Sequence, residues 1–177
     1  MDIDRLIRNW HIKAAEEEDY FSKFVFEYLA FIAFLRKKKE EFRYERGLKD
    51  REVIQRFKQL EDTKSAYLQR IKDNKKLQGA WAFIKKEFDG EPFSDAAARS
   101  FRRNEHAYWE GEKKGVIHSL EDWENMVEFW HCVRNNLFHG EKDPERYRDE
   151  FAVEYGYKTL KELVELLLSE ATICHNK

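Results

Sequence analysis

Turn-forming residues are scarce in this chain, which has seven glycines and two prolines among its 177 residues. Sheet folds with many short turns usually need more of both residue types. Charged residues make up 38% of the chain and aromatic residues 15%, a combination typical of long helices with charged outer faces and bulky inner ones. This aromatic content also argues against a disordered chain. We therefore expect an all-α fold.

Apolar residues recur at helical spacing along most of the chain. The pattern predicts helices at about 2–39 with a break near Trp10, at 50–71, 77–88, 94–103 and 119–138, and from Asp143 to about Ile173. Ser119 is the expected N-cap of the helix at 119–138. The densest apolar stretch, 20–35, is expected to be contacted from several sides. Because no repeat or shift in composition divides the chain, we predict one domain over 1–177.

Charge and cysteine content exclude several classes of protein. The formal net charge is only −2, so a local patch would have to hold any nucleic-acid partner. Cys132 and Cys174 form neither a disulfide framework nor a zinc pattern. The first residues lack the basic and apolar regions of a signal peptide. Since the stretch 20–35 is shorter than the roughly 20 apolar residues that a membrane span needs, we expect a soluble, cytoplasmic protein without a membrane anchor.

The helix predicted at 119–138 carries an apolar stripe. With Trp130 set at zero and about 100° of rotation per residue, the stripe consists of Trp123, Met126, Val127, Val133 and Leu137. Arg134 falls at about 40°, inside this stripe. An unpaired buried charge costs several kcal/mol. Arg134 is therefore expected to pair with a glutamate of a neighbouring helix, to extend to the surface at the end of the stripe, or to lie where the stripe meets another surface or an anionic ligand.

Arg134, Asn135 and His139 lie in the last turns of this helix. Asn135 and His139 are four residues apart, so one helical turn places their side chains on the same side. Arg134 and His139 are five residues apart, about 140° around the axis, and a straight helix would not bring them to one atom. Either the helix unwinds before Gly140, or groups from two chains bind one phosphate. A histidine beside a helix-ending glycine is also, more simply, a common polar end residue.

The six residues at 134–139, RNNLFH, have the form Arg-x4-His, with a polar residue directly after the arginine. They lie at the end of the penultimate long helix of a chain expected to be all-helical. This segment resembles the HEPN family (higher eukaryotes and prokaryotes nucleotide-binding domains). The longer run VRNNLFHGEK at 133–142 and the aromatic segment DYFSKF at 19–24 are similar to prokaryotic members. The resemblance implies a four-helix bundle with additional short helices.

The resemblance also implies a metal-independent endoribonuclease that acts at a composite site between two protomers, in a defence or toxin setting. In this scheme Arg134 clamps the scissile phosphate, His139 moves protons, and Asn135 orients His139 or binds a phosphate oxygen. RNA supplies its own nucleophile, the 2′-hydroxyl, so no cofactor is implied. The implied partners are RNA, a second copy of the chain, and an antitoxin or nucleotidyltransferase-type protein. The alternative is a catalytically inactive module that binds RNA, nucleotides or proteins, with Arg134 in a structural ion pair.

Further RNA contacts are predicted beside the motif at Asn136 and Lys142, and also at Arg102 and Arg103. The two arginines belong to the segment 99–114, which interleaves basic and aromatic residues as single-strand binding surfaces do. Glutamates dilute the positive charge of this segment. A solvated loop is therefore the alternative interpretation of it.

No metal site is expected at the same helix. The candidate ligands are His131, Cys132 and His139. His131 and Cys132 are adjacent and point about 100° apart, which disfavours ligation of one ion by both. The sequence also contains no recognised spacing of metal ligands.

Overall fold

The computed structural model describes residues 2–41, 50–88, 116–138 and 145–174. Within these ranges the chain forms helices and no strands, which confirms the all-α class. The helices are α1 (Ile3–Glu16), α2 (Tyr20–Glu41), α3 (Asp50–Lys58), α4 (Glu61–Asp73), α5 (Lys75–Phe88), α6 (Trp123–Phe138) and α7 (Tyr147–Cys174). None of these described helices is both long and apolar enough to cross a membrane. The helix predicted at 94–103 and the predicted cap Asp143 lie outside the described residues.

Helices α1 and α2 form an antiparallel pair. Lys37 near the end of α2 donates to the Asp4 carboxylate at the start of α1, with 2.8 Å between the atoms. The rings of Trp10 and Phe26 stack between the two helices, with 5.6 Å between their centroids. The break predicted near Trp10 is therefore wrong, because this residue lies in the middle of the continuous helix α1.

The interruption lies instead at residues 17–19, just before α2. The Asp19 carboxylate accepts the backbone N–H of Ser22 at 2.8 Å and so caps the first turn of α2. The same bond from Ser22 holds the pKa of Asp19 below its usual range. A capping carboxylate thus decides where the first predicted helix divides.

The single helix predicted at 50–71 is also divided, since α3 ends at Lys58 and α4 begins at Glu61. Phe57 and Tyr67 both contact Trp123, with ring centroids 5.4 and 5.7 Å away. In one continuous helix, residues ten positions apart would point about 80° away from each other. The break therefore allows two aromatic rings to reach the same partner in α6.

Helix α6 begins four residues later than predicted, because Asp122 caps it in place of Ser119. Ser119 accepts the N–H of Glu121 in the preceding turn, whereas the Asp122 carboxylate accepts the N–H of Asn125 at 3.4 Å. Asp122 is the better cap because a carboxylate also interacts favourably with the helix dipole. The helix consequently begins at Trp123, and its described part extends to Phe138.

Helix α6 is the centre of the core. Trp123, Met126, Val127, Trp130 and Val133 of the predicted stripe are all buried. The burial extends around the helix to polar side chains, which are Asn125, Glu128, His131 and Asn136. Trp130 is completely buried and lies among the rings of Phe31, Tyr67, Trp81 and Trp123, at centroid distances of 5.6 to 6.4 Å. The helix that ends in the predicted motif is therefore held from several sides.

Close contact between α2 and α7 depends on Gly156. A Cβ atom at this position would lie 3.0 Å from Cε2 of Phe24 and 3.7 Å from Cγ1 of Val133 in α6. Helix α7 continues through Gly156 without interruption. This glycine therefore permits three helices to approach closely and leaves the helix regular.

A buried ionisable pair joins α1 to α2. The Nδ1 atom of His11 lies 2.8 Å from Oε1 of Glu27, whose side chain is 0% exposed. Oε2 of Glu27 is buried and has no hydrogen-bond partner within the described part of the chain. Burial raises the pKa of Glu27 above its usual range, and the hydrogen bond to Glu27 raises the pKa of His11. Lys161 and Glu165 of α7 act on both groups more weakly and with opposite signs.

We predict that this pair makes the protein less stable as pH rises. Both pKa values are raised on folding, so the folded pair keeps a proton that the unfolded chain releases. Its stabilising contribution is present below pH ~6.5, the unfolded value of histidine, and is lost as pH rises through the higher folded pKa of His11. Melting temperatures measured across this window should fall for wild type and should fall less for Glu27→Gln, in which the group that raises the pKa of His11 is gone. Equal slopes for the two proteins would contradict the assignment.

Candidate functional site at the end of helix α6

The last turn of α6 places part of the predicted site at the edge of the core. Arg134 and Asn135 are partly exposed, whereas Asn136 is only 7% exposed. His139, Lys142, Arg102 and Arg103 lie outside the described residues. The structure therefore brings together Arg134 and Asn135, and the remaining site residues stay predictions. The low exposure of Asn136 leaves little of its side chain for an RNA contact.

Aromatic rings explain how a cation lies within the apolar stripe. The guanidinium carbon of Arg134 lies 4.9 Å from the ring centroid of Phe138 and 5.9 Å from that of Tyr28 in α2. Rings attract a nearby cation through their quadrupole, by about 0.5–2 kcal/mol depending on exposure. Nη1 of Arg134 also donates to Oδ1 of Asn135 at 2.8 Å. These contacts hold the guanidinium in place at the helix end.

Asn135 connects Arg134 to two buried groups that the motif does not contain. Its amide nitrogen lies 3.1 Å from Nε2 of His131, one turn earlier in α6. Nδ1 of His131 lies 3.2 Å from the hydroxyl oxygen of Tyr28. Sequence reasoning considered His131 only as a metal ligand and did not identify Tyr28. The i, i+4 spacing of His131 and Asn135 was a usable signal, but nothing local indicates Tyr28.

The direction of each hydrogen bond follows from the charge on Arg134. A guanidinium has only N–H donors, so the oxygen of the Asn135 amide must face Arg134. The amide nitrogen then faces His131 and donates to Nε2, which must carry a lone pair. The proton of a neutral His131 ring is therefore on Nδ1 and is donated to the hydroxyl oxygen of Tyr28. Arg134 thus determines the tautomer of a buried histidine through Asn135.

The chemical capacity of this cluster is that of a positioned cation. Arginine presents five N–H donors in a planar fork that matches phosphate oxygens, and one of them is directed to Asn135. Within the described ranges, no group of three His, Cys, Asp or Glu side chains is arranged to hold a metal ion. The arrangement is suited to binding and stabilising a phosphate.

Comparison with known proteins assigns no relative to the chain. No family model, curated protein or solved structure matches it. The resemblance of residues 133–142 to HEPN domains therefore remains a hypothesis drawn from the motif.

We predict that the neutral His131 ring carries its proton on Nδ1. Imidazole nitrogen chemical shifts, measured by NMR on protein labelled with ¹⁵N-histidine, should show a protonated Nδ1 and a bare Nε2 for this residue. Replacing Asn135 with leucine removes the donor to Nε2 and should weaken this preference. A wild-type protein with the proton on Nε2 would require the Asn135 amide to face the other way, and would contradict the hydrogen-bond directions.

Proposed function

We propose that the protein is a metal-independent endoribonuclease with a HEPN-type helical bundle, and that its active site forms where two copies of the chain meet. The observation that carries the proposal is the position of Arg134 at the end of α6, held by Asn135, Tyr28 and Phe138. The arginine precedes His139 by five residues, the spacing of the motif. A guanidinium that is always charged and held by neighbouring groups is well suited to bind a scissile phosphate.

In the proposed reaction, His139 accepts the proton of the RNA 2′-hydroxyl, and the 2′-oxygen attacks the adjacent phosphorus atom. The bond between phosphorus and the 5′-oxygen breaks. The leaving 5′-oxygen receives a proton from an acid, for which His139 of the second copy is the candidate. Arg134 stabilises the negative charge that develops on the phosphoryl oxygens. The products are a 2′,3′-cyclic phosphate and a 5′-hydroxyl end.

The surroundings of Asn135 refine its proposed role. Its oxygen accepts from Arg134 and its nitrogen donates to His131, so both polar atoms of the amide are engaged. We therefore propose that Asn135 positions Arg134, in preference to orienting His139 directly. Its loss should affect phosphate binding through Arg134.

An exposed aromatic side chain supports a dimer at the end of α6. Phe138 is 58% exposed although it lies next to Arg134. Large exposed apolar side chains beside a charged site often belong to an interface. A two-fold contact there would bring the ends of two α6 helices into one cleft. Arg134 of one copy could then act together with His139 of the other, so the 140° between these residues within one helix would not keep them apart.

The alternative function is a catalytically inactive module that binds RNA or a partner protein. The hydrogen bonds of Asn135 with Arg134 and His131 favour it in one respect, because such a network also serves a purely structural role. For the endoribonuclease we propose a cytoplasmic location and a defence or toxin role. An antitoxin or nucleotidyltransferase-type protein is the proposed partner, and Lys142, Arg102 and Arg103 are proposed as additional RNA contacts.

We predict that His139 and Arg134 variants fail in different ways. His139→Ala should reduce cleavage of an RNA oligonucleotide by about 10²–10⁴-fold and change its affinity only slightly, because a proton shuttle acts mainly in the transition state. Arg134→Ala should reduce both the cleavage rate and the affinity for RNA, because it removes a phosphate contact. Cleavage and binding assays with melting curves would test this, with Arg8→Ala as a matched control on the exposed face of α1. If wild type cuts no RNA and Arg134→Ala unfolds, the module without catalysis replaces this proposal.

We also predict that Phe138→Glu converts a dimer into monomers. Glutamate would place a charge in the proposed apolar contact, whereas the wild-type protein should sediment as a dimer at micromolar concentration. Ile12→Glu is the matched control, because Ile12 is 49% exposed on α1 and lies outside the proposed interface. A monomeric wild type, or a Phe138→Glu variant that remains dimeric, would show that the end of α6 is not the interface.

A further inference from the structure

A groove of about 550 Å³ lies between α5 and α7, and lysines outnumber acidic residues in its lining. The charged residues along it are Lys75, Lys76, Lys158, Lys161 and Glu162. The single carboxylate is already paired, since Glu162 accepts from Arg70 at 2.7 Å. Lys75 and Lys76 are exposed, and neither forms an ion pair within the described part of the chain. Lys158 and Lys161 pair with Glu154 and Glu165 of their own helix. The positive charge of the groove therefore comes from Lys75 and Lys76, although the net charge of the chain is −2.

Aromatic rings lie among these lysines. Phe83 is 55% exposed and its ring centroid is 6.0 Å from that of Tyr155. Nζ of Lys158 lies 4.8 Å from the centroid of Tyr155. Surfaces that bind single-stranded nucleic acids combine such rings, on which bases stack, with cations that contact the backbone. The volume also lies within the range of roughly 300–1,000 Å³ that ligand sites occupy.

A small residue leaves the α5 side of the groove open. A Cβ atom added at Gly79 would meet no other atom within 4 Å. Because glycine inside a helix costs about 1 kcal/mol relative to alanine, Gly79 weakens α5 without relieving any close contact. The space beside Gly79 is part of the groove.

The groove on the other side of Phe83 and Tyr155 has the opposite charge. Its charged lining residues are Lys86, Glu87, Glu150 and Glu154. Glu154 is paired with Lys158, which leaves Glu87 and Glu150 against Lys86. This net negative charge would repel a phosphate backbone. The favourable region for a polyanion is therefore short and ends at the two rings.

We propose that the positively charged groove between α5 and α7 binds a single-stranded segment of the RNA substrate, with a base stacked on the exposed ring of Phe83 and phosphates beside Lys75 and Lys76. This inference rests on the proposed function for the identity of the RNA. It assigns binding of the strand to a surface outside the Arg134-x4-His139 motif. The groove serves the affinity for RNA, and the motif serves its cleavage.

A steric block tests the groove without removing any charge. Leucine at Gly79 would occupy the open space, and its higher helix propensity should preserve α5. The probe is a fluorescent single-stranded RNA of about twelve nucleotides with 2′-O-methyl groups, which has no free 2′-hydroxyl and is not cut by the proposed mechanism. Gly79→Leu should weaken its binding about tenfold, the effect of losing one stacked base. Gln78→Leu, at a neighbouring exposed position outside the groove, should bind as wild type does.

A charge substitution tests the phosphate contacts. Lys75→Ala should weaken binding of the same RNA and make the dependence of affinity on salt shallower by about 0.7 in logarithmic slope, the value for one contact on a single strand. Lys85→Ala removes the same charge from an exposed position of α5 that does not line the groove. It should leave both the affinity and the slope near the wild-type values. Equal effects of Lys75→Ala and Lys85→Ala would overturn the groove as a binding site.

The two proposals can fail separately. If unmodified RNA is cut while the Gly79→Leu and Lys75→Ala proteins bind like their controls, the groove inference is overturned and the ribonuclease stands. If the modified RNA binds in the groove but unmodified RNA is not cut, the groove stands and the ribonuclease is overturned. Tighter binding of a phosphate-free acidic peptide than of the RNA would assign the groove to a protein partner and overturn the inference.

Discussion

The burial of Trp130 is the constraint on which the rest of the structure depends. Its indole contacts rings from α2, α4 and α5 as well as Trp123 of its own helix. Its N–H donates to the hydroxyl of Thr159 in α7 at 2.9 Å, so the polar atom of a fully buried side chain is satisfied. One residue therefore ties α6 to four other helices and fixes the rotation of α6 about its own axis. A different rotation would leave a buried N–H without an acceptor.

The rotation of α6 about its axis determines the direction in which the side chains at its end point. Three residues after Trp130, Val133 lies near the crossing of α2 and α7 at Gly156. The next residue, Arg134, is thereby directed toward Tyr28 of α2 and toward Phe138. The chain of polar contacts from Arg134 through Asn135 to His131 and Tyr28 exists because α6 cannot rotate. The core of the bundle therefore positions Arg134, the group that we propose to bind phosphate.

Local periodicity predicted the part of this arrangement that lies within one helix. The apolar stripe of α6 and the position of Arg134 inside it followed from rotation per residue alone. The division between α3 and α4 did not, because it depends on two rings, Phe57 and Tyr67, reaching Trp123 in a distant segment. The contact between Tyr28 and His131 joins residues 103 positions apart, and no local pattern encodes it. The i, i+4 rule applies to Asn135 and His131, one turn before it, whereas His139, the residue predicted beside Asn135, lies outside the described residues.

The central claim is that Arg134 serves an RNA cleavage in which the 2′-hydroxyl is the nucleophile and no metal ion takes part. Identification of the product ends by mass spectrometry, after incubation of wild-type protein with RNA in the presence of EDTA, tests this claim most directly. The account predicts 2′,3′-cyclic phosphate and 5′-hydroxyl ends, formed at the same rate with and without EDTA. Ends carrying a 3′-hydroxyl and a 5′-phosphate, or cleavage that strictly requires added divalent ions, would contradict it.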